Sequence, residues 1–101
     1  MNKILTLSTA IILSTLASAS FAGDAAAGKA KSVTCAGCHG ANGISNNPMW
    51  PNLAGQKQAY LASALQMYRD GRRKNAMMSA MAKNLTDADI ANLAAYYTNL
   101  K

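Results

Sequence analysis

Every cysteine and the one histidine of the chain fall within Cys35-Ala36-Gly37-Cys38-His39. This cluster constrains the fold more than any other feature, because it gathers all the strong soft ligands at one turn of chain. Two thiols and one imidazole are one ligand short of a closed zinc site. A disulfide between Cys35 and Cys38 would close so short a loop that it would staple almost nothing. A thioredoxin-like C-x-x-C belongs beside a βαβ pattern, and the chain shows neither strand alternation nor a hairpin signal. Two cysteines are also too few for a disulfide-built scaffold.

The segment preceding the cluster narrows the choice. Lys3 gives a short positive start, Ile4–Leu16 is largely apolar, and small residues lead to Ser20-Phe21-Ala22 before Gly23. This is the three-part pattern of a secretory signal peptide. The expected division is a cleaved leader over residues 1–22 and a domain over 23–101, with cleavage after Ala19 as the alternative. The apolar run is short for a membrane span, so no stable membrane insertion is expected after cleavage. The mature chain has 79 of the 101 residues, and loss of Lys3 lowers the formal charge from +6 to +5. Export disfavours free thiols, so Cys35 and Cys38 must be covalently occupied or metal-bound. A domain this small also needs a staple or a cofactor to complete its core.

The order Cys-x-x-Cys-His is the attachment sequence of a c-type haem. Two thiols on one helical turn can add to the two vinyl groups on one porphyrin edge. The next residue, His39, then offers Nε2 to the iron, while its Nδ1–H needs an acceptor. One covalent haem c with its iron is the expected cofactor. Its two ionised propionates would bring the net charge to about +3.

The rest of the chain reads as all-α. Asp24 is placed to cap a helix running to about Val33. Gly37, Gly40, Gly43, Pro48 and Pro51 punctuate a loop over 37–55. A helix is expected over 58–70, with Leu61, Ala64, Leu65 and Tyr68 on one face, ended by Gly71. Residues 72–85 read as a second loop holding Met77, Met78 and Met81. Thr86 and Asp89 form a capping-box variant, with Leu85 and Ile90 as its hydrophobic staple. The helix that follows lines up Ile90, Leu93, Ala94 and Tyr97.

With these residues in hand, the chain resembles the class I c-type cytochromes. It is similar to the small soluble bacterial monohaem kind, also seen as halves of dihaem cytochromes. The resemblance spans essentially all of 23–101. It rests on Gly23-Asp24-Ala25-Ala26-Ala27-Gly28, Cys35–Gly40, Pro51-Asn52-Leu53-Ala54-Gly55-Gln56 and the methionine loop. It continues through Leu85-Thr86-Asp87 to Ala94-Ala95-Tyr96-Tyr97. It implies that the first and last helices cross near the haem motif, with Gly28 as the small residue and Tyr97 as the aromatic there. It also implies that the Pro51 carbonyl accepts the His39 Nδ1–H.

A sixth iron ligand is needed, and bis-His ligation is impossible with one histidine. A lysine would have to be neutral, whereas a thioether is neutral and soft. Met49 lies beside Trp50, and Met67 sits inside a helix, where methionine is mostly filler. Met77, Met78 and Met81 remain. The resemblance selects Met78, seven residues before Leu85, with Met77 and Met81 as alternatives.

An iron with both axial positions filled has no site for substrate. The expected function is a periplasmic electron carrier with no catalytic residues, acting as a monomer on redox partners with acidic docking surfaces. Nucleic acid is excluded by export. Lys29, Lys31, Lys57, Arg72, Arg73, Lys74 and Lys83 are candidate docking residues, and Arg72 or Arg73 is a candidate partner of a haem propionate. Two alternatives differ in kind. One is a haem subunit held in a dehydrogenase or oxidase, with an apolar patch around Met49 and Trp50. The other is a ligand-binding or peroxidatic haem protein whose methionine leaves.

Overall fold

The computed structural model describes residues 22–101. The expected leader, residues 1–22, lies outside them apart from its last residue. Among the described residues there are five helices and no strand: α1 Ala25–Lys31, α2 Val33–His39, α3 Gln58–Arg69, α4 Ala76–Ala82 and α5 Asp87–Thr98. None is long and apolar enough to cross a membrane.

Helix α5 follows from its sequence most directly. The Thr86 hydroxyl accepts from the Asp89 amide at 3.0 Å, and the Asp89 carboxylate accepts from the Thr86 amide at 3.0 Å. Two of the four orphan donors at the helix start are thereby satisfied. The expected inward face is buried: Ile90, Leu93, Ala94 and Tyr97 are all 3% exposed or less. Each large aliphatic side chain so buried contributes about 1.5–3 kcal/mol. Helices α1 and α3 both pack on α5, and α4 packs on α3.

The α1–α5 crossing is set by Gly28. A Cβ there would collide with the Asn92 carbonyl and crowd the Tyr96 Cβ. Nearby, the Asn92 side chain accepts from the Asp24 amide at 2.7 Å, while the Asp24 carboxylate caps α1 through Ala26 and Ala27. A second tie joins α3 to α5. Arg69 donates to Asp87 at 2.7 Å and to the Leu85 carbonyl at 3.3 Å.

Three local readings are corrected. The first helix does not run on to Val33. It ends at Lys31, and Ser32 donates its hydroxyl to the Lys29 carbonyl at 2.7 Å before the chain turns into α2. Gly37 lies within α2, so the loop expected from residue 37 starts only at Gly40. The stretch 72–85 is not all loop. Asn75 caps α4 by accepting from the amides of Met77 and Met78 at 3.1 and 3.0 Å. Ala, Met and Ser follow the cap without a Gly or Pro, which is a good helix-forming run.

Candidate cofactor site

Helix α2 carries Cys35, Cys38 and His39. Residues three apart lie on one helical face, so both thiols issue from the same side of one turn. They are half-buried and not bonded to each other. His39 is the last helical residue. Gly40 ends the helix at φ +88°, and any Cβ there would strike the Ile44 carbonyl. This sharp exit leaves the imidazole 6% exposed and facing the loop that follows.

His39 Nδ1 lies 2.8 Å from the Pro51 carbonyl oxygen. A carbonyl only accepts, so Nδ1 carries the hydrogen, and Nε2 is the nitrogen left to bind a metal in the neutral tautomer. The carbonyl is held in place by its neighbours. The Gly43 carbonyl accepts from the amides of Leu53 and Ala54 at 2.8 and 3.0 Å. The Asn52 side chain accepts from the Ser45 amide at 2.7 Å. The Gly55 amide donates to the Tyr97 carbonyl at 2.9 Å, which anchors the loop on α5.

The three candidate methionines, all on helix α4, differ in exposure. Met77 and Met81 are 54% and 47% exposed, whereas Met78 is half-buried. Met78 is thus the one that α4 turns furthest from solvent, with its amide fixed by Asn75 at 3.0 Å.

Tyr97 is buried with Leu61, Leu93 and Ala94, and Cys35 packs against the same cluster. Its hydroxyl faces Ser32 and Cys35 without reaching hydrogen-bonding geometry with either. Burial is the main reason its ionisation is pushed well above the ordinary tyrosine value, and the adjacent Cys35 adds to the shift.

The candidate docking cations divide into two groups. Lys31 pairs with Asp89 at 3.5 Å and Arg72 with Asp70 at 3.5 Å. Arg73 stacks over the Tyr68 ring at 4.7 Å and reaches the Tyr60 hydroxyl at 3.4 Å. Among the described residues, Lys29, Lys57, Lys74 and Lys83 are exposed and have no ion-pair partner. Arg69, which no motif marks, is tied into the fold by Asp87 and the Leu85 carbonyl. Its spacing from Asp87 spans two helices and leaves no local signature.

The donor set fits a covalently held haem and not a protein-built metal site. Among the described residues, no three His, Cys, Asp or Glu side chains converge to hold an ion. Two thiols on one turn followed by an imidazole whose Nδ1 is engaged by the Pro51 carbonyl suit a porphyrin edge and its iron.

Comparison with known proteins agrees. The family model described as cytochrome c matches residues 25–101. The chain is 52% identical over 81 residues to cytochrome c-554(548) of Halomonas halodenitrificans, covering 77% of this chain and 98% of that protein. It is 41% identical over 102 residues to a protein of Thiomonas intermedia named thiosulfate dehydrogenase electron acceptor, covering all of this chain and 45% of the other. The crystal structure of reduced recombinant cytochrome c4 from Pseudomonas stutzeri superposes with a TM-score of 0.75 at 39% identity, covering 79% of this chain and 47% of that one. The chain therefore spans less than half the length of the last two. Motif, helical architecture and relatives converge on one assignment: the chain belongs to the cytochrome c family, has the class I fold, and has one covalently bound haem c as its cofactor.

Proposed function

We propose that the chain is an exported one-electron carrier whose haem is held by Cys35, Cys38, His39 and Met78. The 2.8 Å contact of His39 Nδ1 with the Pro51 carbonyl carries this reading. It fixes the tautomer, aims Nε2 and raises the basicity of the ring.

The bound haem supplies Fe(III)/Fe(II) chemistry, one electron at a time. Cys35 and Cys38 each add S–H across a vinyl double bond. Sulfur bonds one carbon and the proton goes to the other, with no net oxidation. His39 and Met78 would be the side chains that hold the iron, and the exposure of Met77 and Met81 supports Met78 over either. The Leu61–Leu93–Ala94–Tyr97 cluster excludes water behind Cys35. Lys29, Lys57, Lys74 and Lys83 steer brief encounters with acidic surfaces. Arg73, already engaged by Tyr60 and Tyr68, is a weaker candidate for a propionate than Arg72, whose pair with Asp70 is solvent-exposed. The charged, apolar and small-residue pattern of residues 1–22 supports export to the periplasm.

A reduced-minus-oxidised spectrum of the exported protein, with a carbon monoxide arm, tests the reading. The expected result is a c-type spectrum unchanged by carbon monoxide. A readily formed adduct would establish an open axial site and a ligand-binding or peroxidatic protein instead.

One observation favours a second reading, a haem subunit docked on a dehydrogenase. Met49 is 82% exposed beside half-buried Trp50, and relatives include a cytochrome subunit of sulfide dehydrogenase. Co-purification of the native protein with a larger partner through high salt would support it.

A further inference from the structure

Tyr97 is 3% exposed, and its hydroxyl is a buried polar atom without a partner among the described residues. Leaving such a group unsatisfied costs stability, because its lost hydration is not replaced. If only the ring were needed at the α1–α5 crossing, phenylalanine would avoid that cost. The hydroxyl lies where α1 turns into α2, beside Ser32 and Cys35. The Ser32 hydroxyl already donates to the Lys29 carbonyl at 2.7 Å. Thr34 is the other hydroxyl near Cys35, 3.9 Å from its sulfur, and it also reaches the Lys31 carbonyl at 3.4 Å.

Chemistry distinguishes Cys35 from the other neighbours. A thiol both donates and accepts weakly. After its S–H has added across a vinyl group, the sulfur keeps only its acceptor capacity. A buried donor beside it then gains a partner that no longer competes to donate. We propose that Tyr97 is a positioning residue of the haem site, its hydroxyl donating to the Cys35 sulfur once that sulfur is a thioether. The hydrogen bond fixes the sulfur's orientation and draws electron density from the haem edge, which favours the reduced form. The inference rests on the reading of Cys35 as a haem attachment point.

Resonance Raman spectra of the holoprotein in water and heavy water, read at the thioether C–S stretch, provide the test. A deuterium-sensitive C–S band is expected in the wild type. It is also expected in Ser32→Ala, Thr34→Val and the single-thioether variant Cys38→Ala, and is lost in Tyr97→Phe and Cys35→Ala. Tyr97→Phe also lowers the reduction potential. A wild-type band indifferent to deuterium would overturn the proposal. So would sensitivity that survives in Tyr97→Phe or disappears in Ser32→Ala or Thr34→Val. If Tyr97→Phe does not fold, the wild-type, Ser32→Ala and Thr34→Val spectra still decide the matter. Intact mass of the Cys38→Ala protein separates the attachment reading from the Tyr97 proposal: no covalent haem on that variant refutes attachment at Cys35, whereas covalent haem without the band refutes Tyr97 alone.

Discussion

The His39 imidazole and the Pro51 carbonyl, twelve residues apart in sequence, meet at 2.8 Å because Gly43 folds the loop between them. Gly43 is buried at φ +76°, and a Cβ there would press on Ala54. Its carbonyl takes both amides that follow Asn52. The backbone of one glycine thus sets the position of the acceptor that orients the proposed proximal ligand.

Gly43→Ala therefore disturbs the site without touching a ligand. The left-handed conformation costs an L-residue about 1–2 kcal/mol. Thermal melting shows the loss as a lower Tm, and potentiometry shows a higher reduction potential as the imidazole loses its acceptor. Pro51→Ala keeps the carbonyl and leaves the potential nearly unchanged. Equal shifts in both variants would contradict the loop's role.

Gly28→Val targets the helix crossing instead. Its side chain has nowhere to go between Asn92 and Tyr96. Overpacking of this kind costs about 1–3 kcal/mol. Denaturant unfolding gives a lower midpoint, while the haem spectrum of the folded fraction is unchanged.

Asp89 gives α5 a pH dependence. The Thr86 amide is the main influence holding its carboxyl below the ordinary range, with the Thr86 hydroxyl and Lys31 adding smaller contributions. A carboxylate depressed in the folded state stabilises fully above its unfolded value of about 4, and that contribution is lost as pH falls through the folded value. Asp89→Asn keeps an acceptor for the Thr86 amide but removes the charge at the helix N-terminus and the Lys31 pair, costing about 0.3–1 kcal/mol at pH 7. The gap between variant and wild type narrows below about pH 4. Urea titrations at several pH values measure it, and a constant gap would contradict the account.

Unpaired lysines carry the steering prediction. Single Lys→Gln changes at Lys29, Lys57, Lys74 or Lys83 slow electron transfer to an acidic partner a few-fold at low salt. The difference fades toward 1 M salt, where the screening length is about 3 Å. Stopped-flow rates against ionic strength check this, with Lys31→Gln, whose charge is already paired with Asp89, expected to have a smaller effect.

Local signals were legible where one short stretch contained the whole device. The Thr86–Asp89 capping box and the apolar face from Ile90 to Tyr97 appear in the structure as read. Cys35, Cys38 and His39 do share one turn. Helix α4 was hidden because three methionines and a preceding basic run suggested a loop, although Asn75 followed by Ala, Met and Ser was the signal that would have revealed it. The break at Ser32 depends on one hydroxyl choosing the Lys29 carbonyl, which composition does not reveal. Arg69 bridging to Asp87 and Tyr97 approaching Cys35 arise only when distant segments pack, so no pattern within either segment announces them.

Ligation of iron by Met78 is the claim on which electron carriage turns, and a weak near-infrared absorption band of the oxidised holoprotein reports the methionine–iron bond. The band is expected in wild type, Met77→Ala and Met81→Ala, and is lost in Met78→Ala. A Met78→Ala protein that folds, holds haem and keeps the band would contradict it.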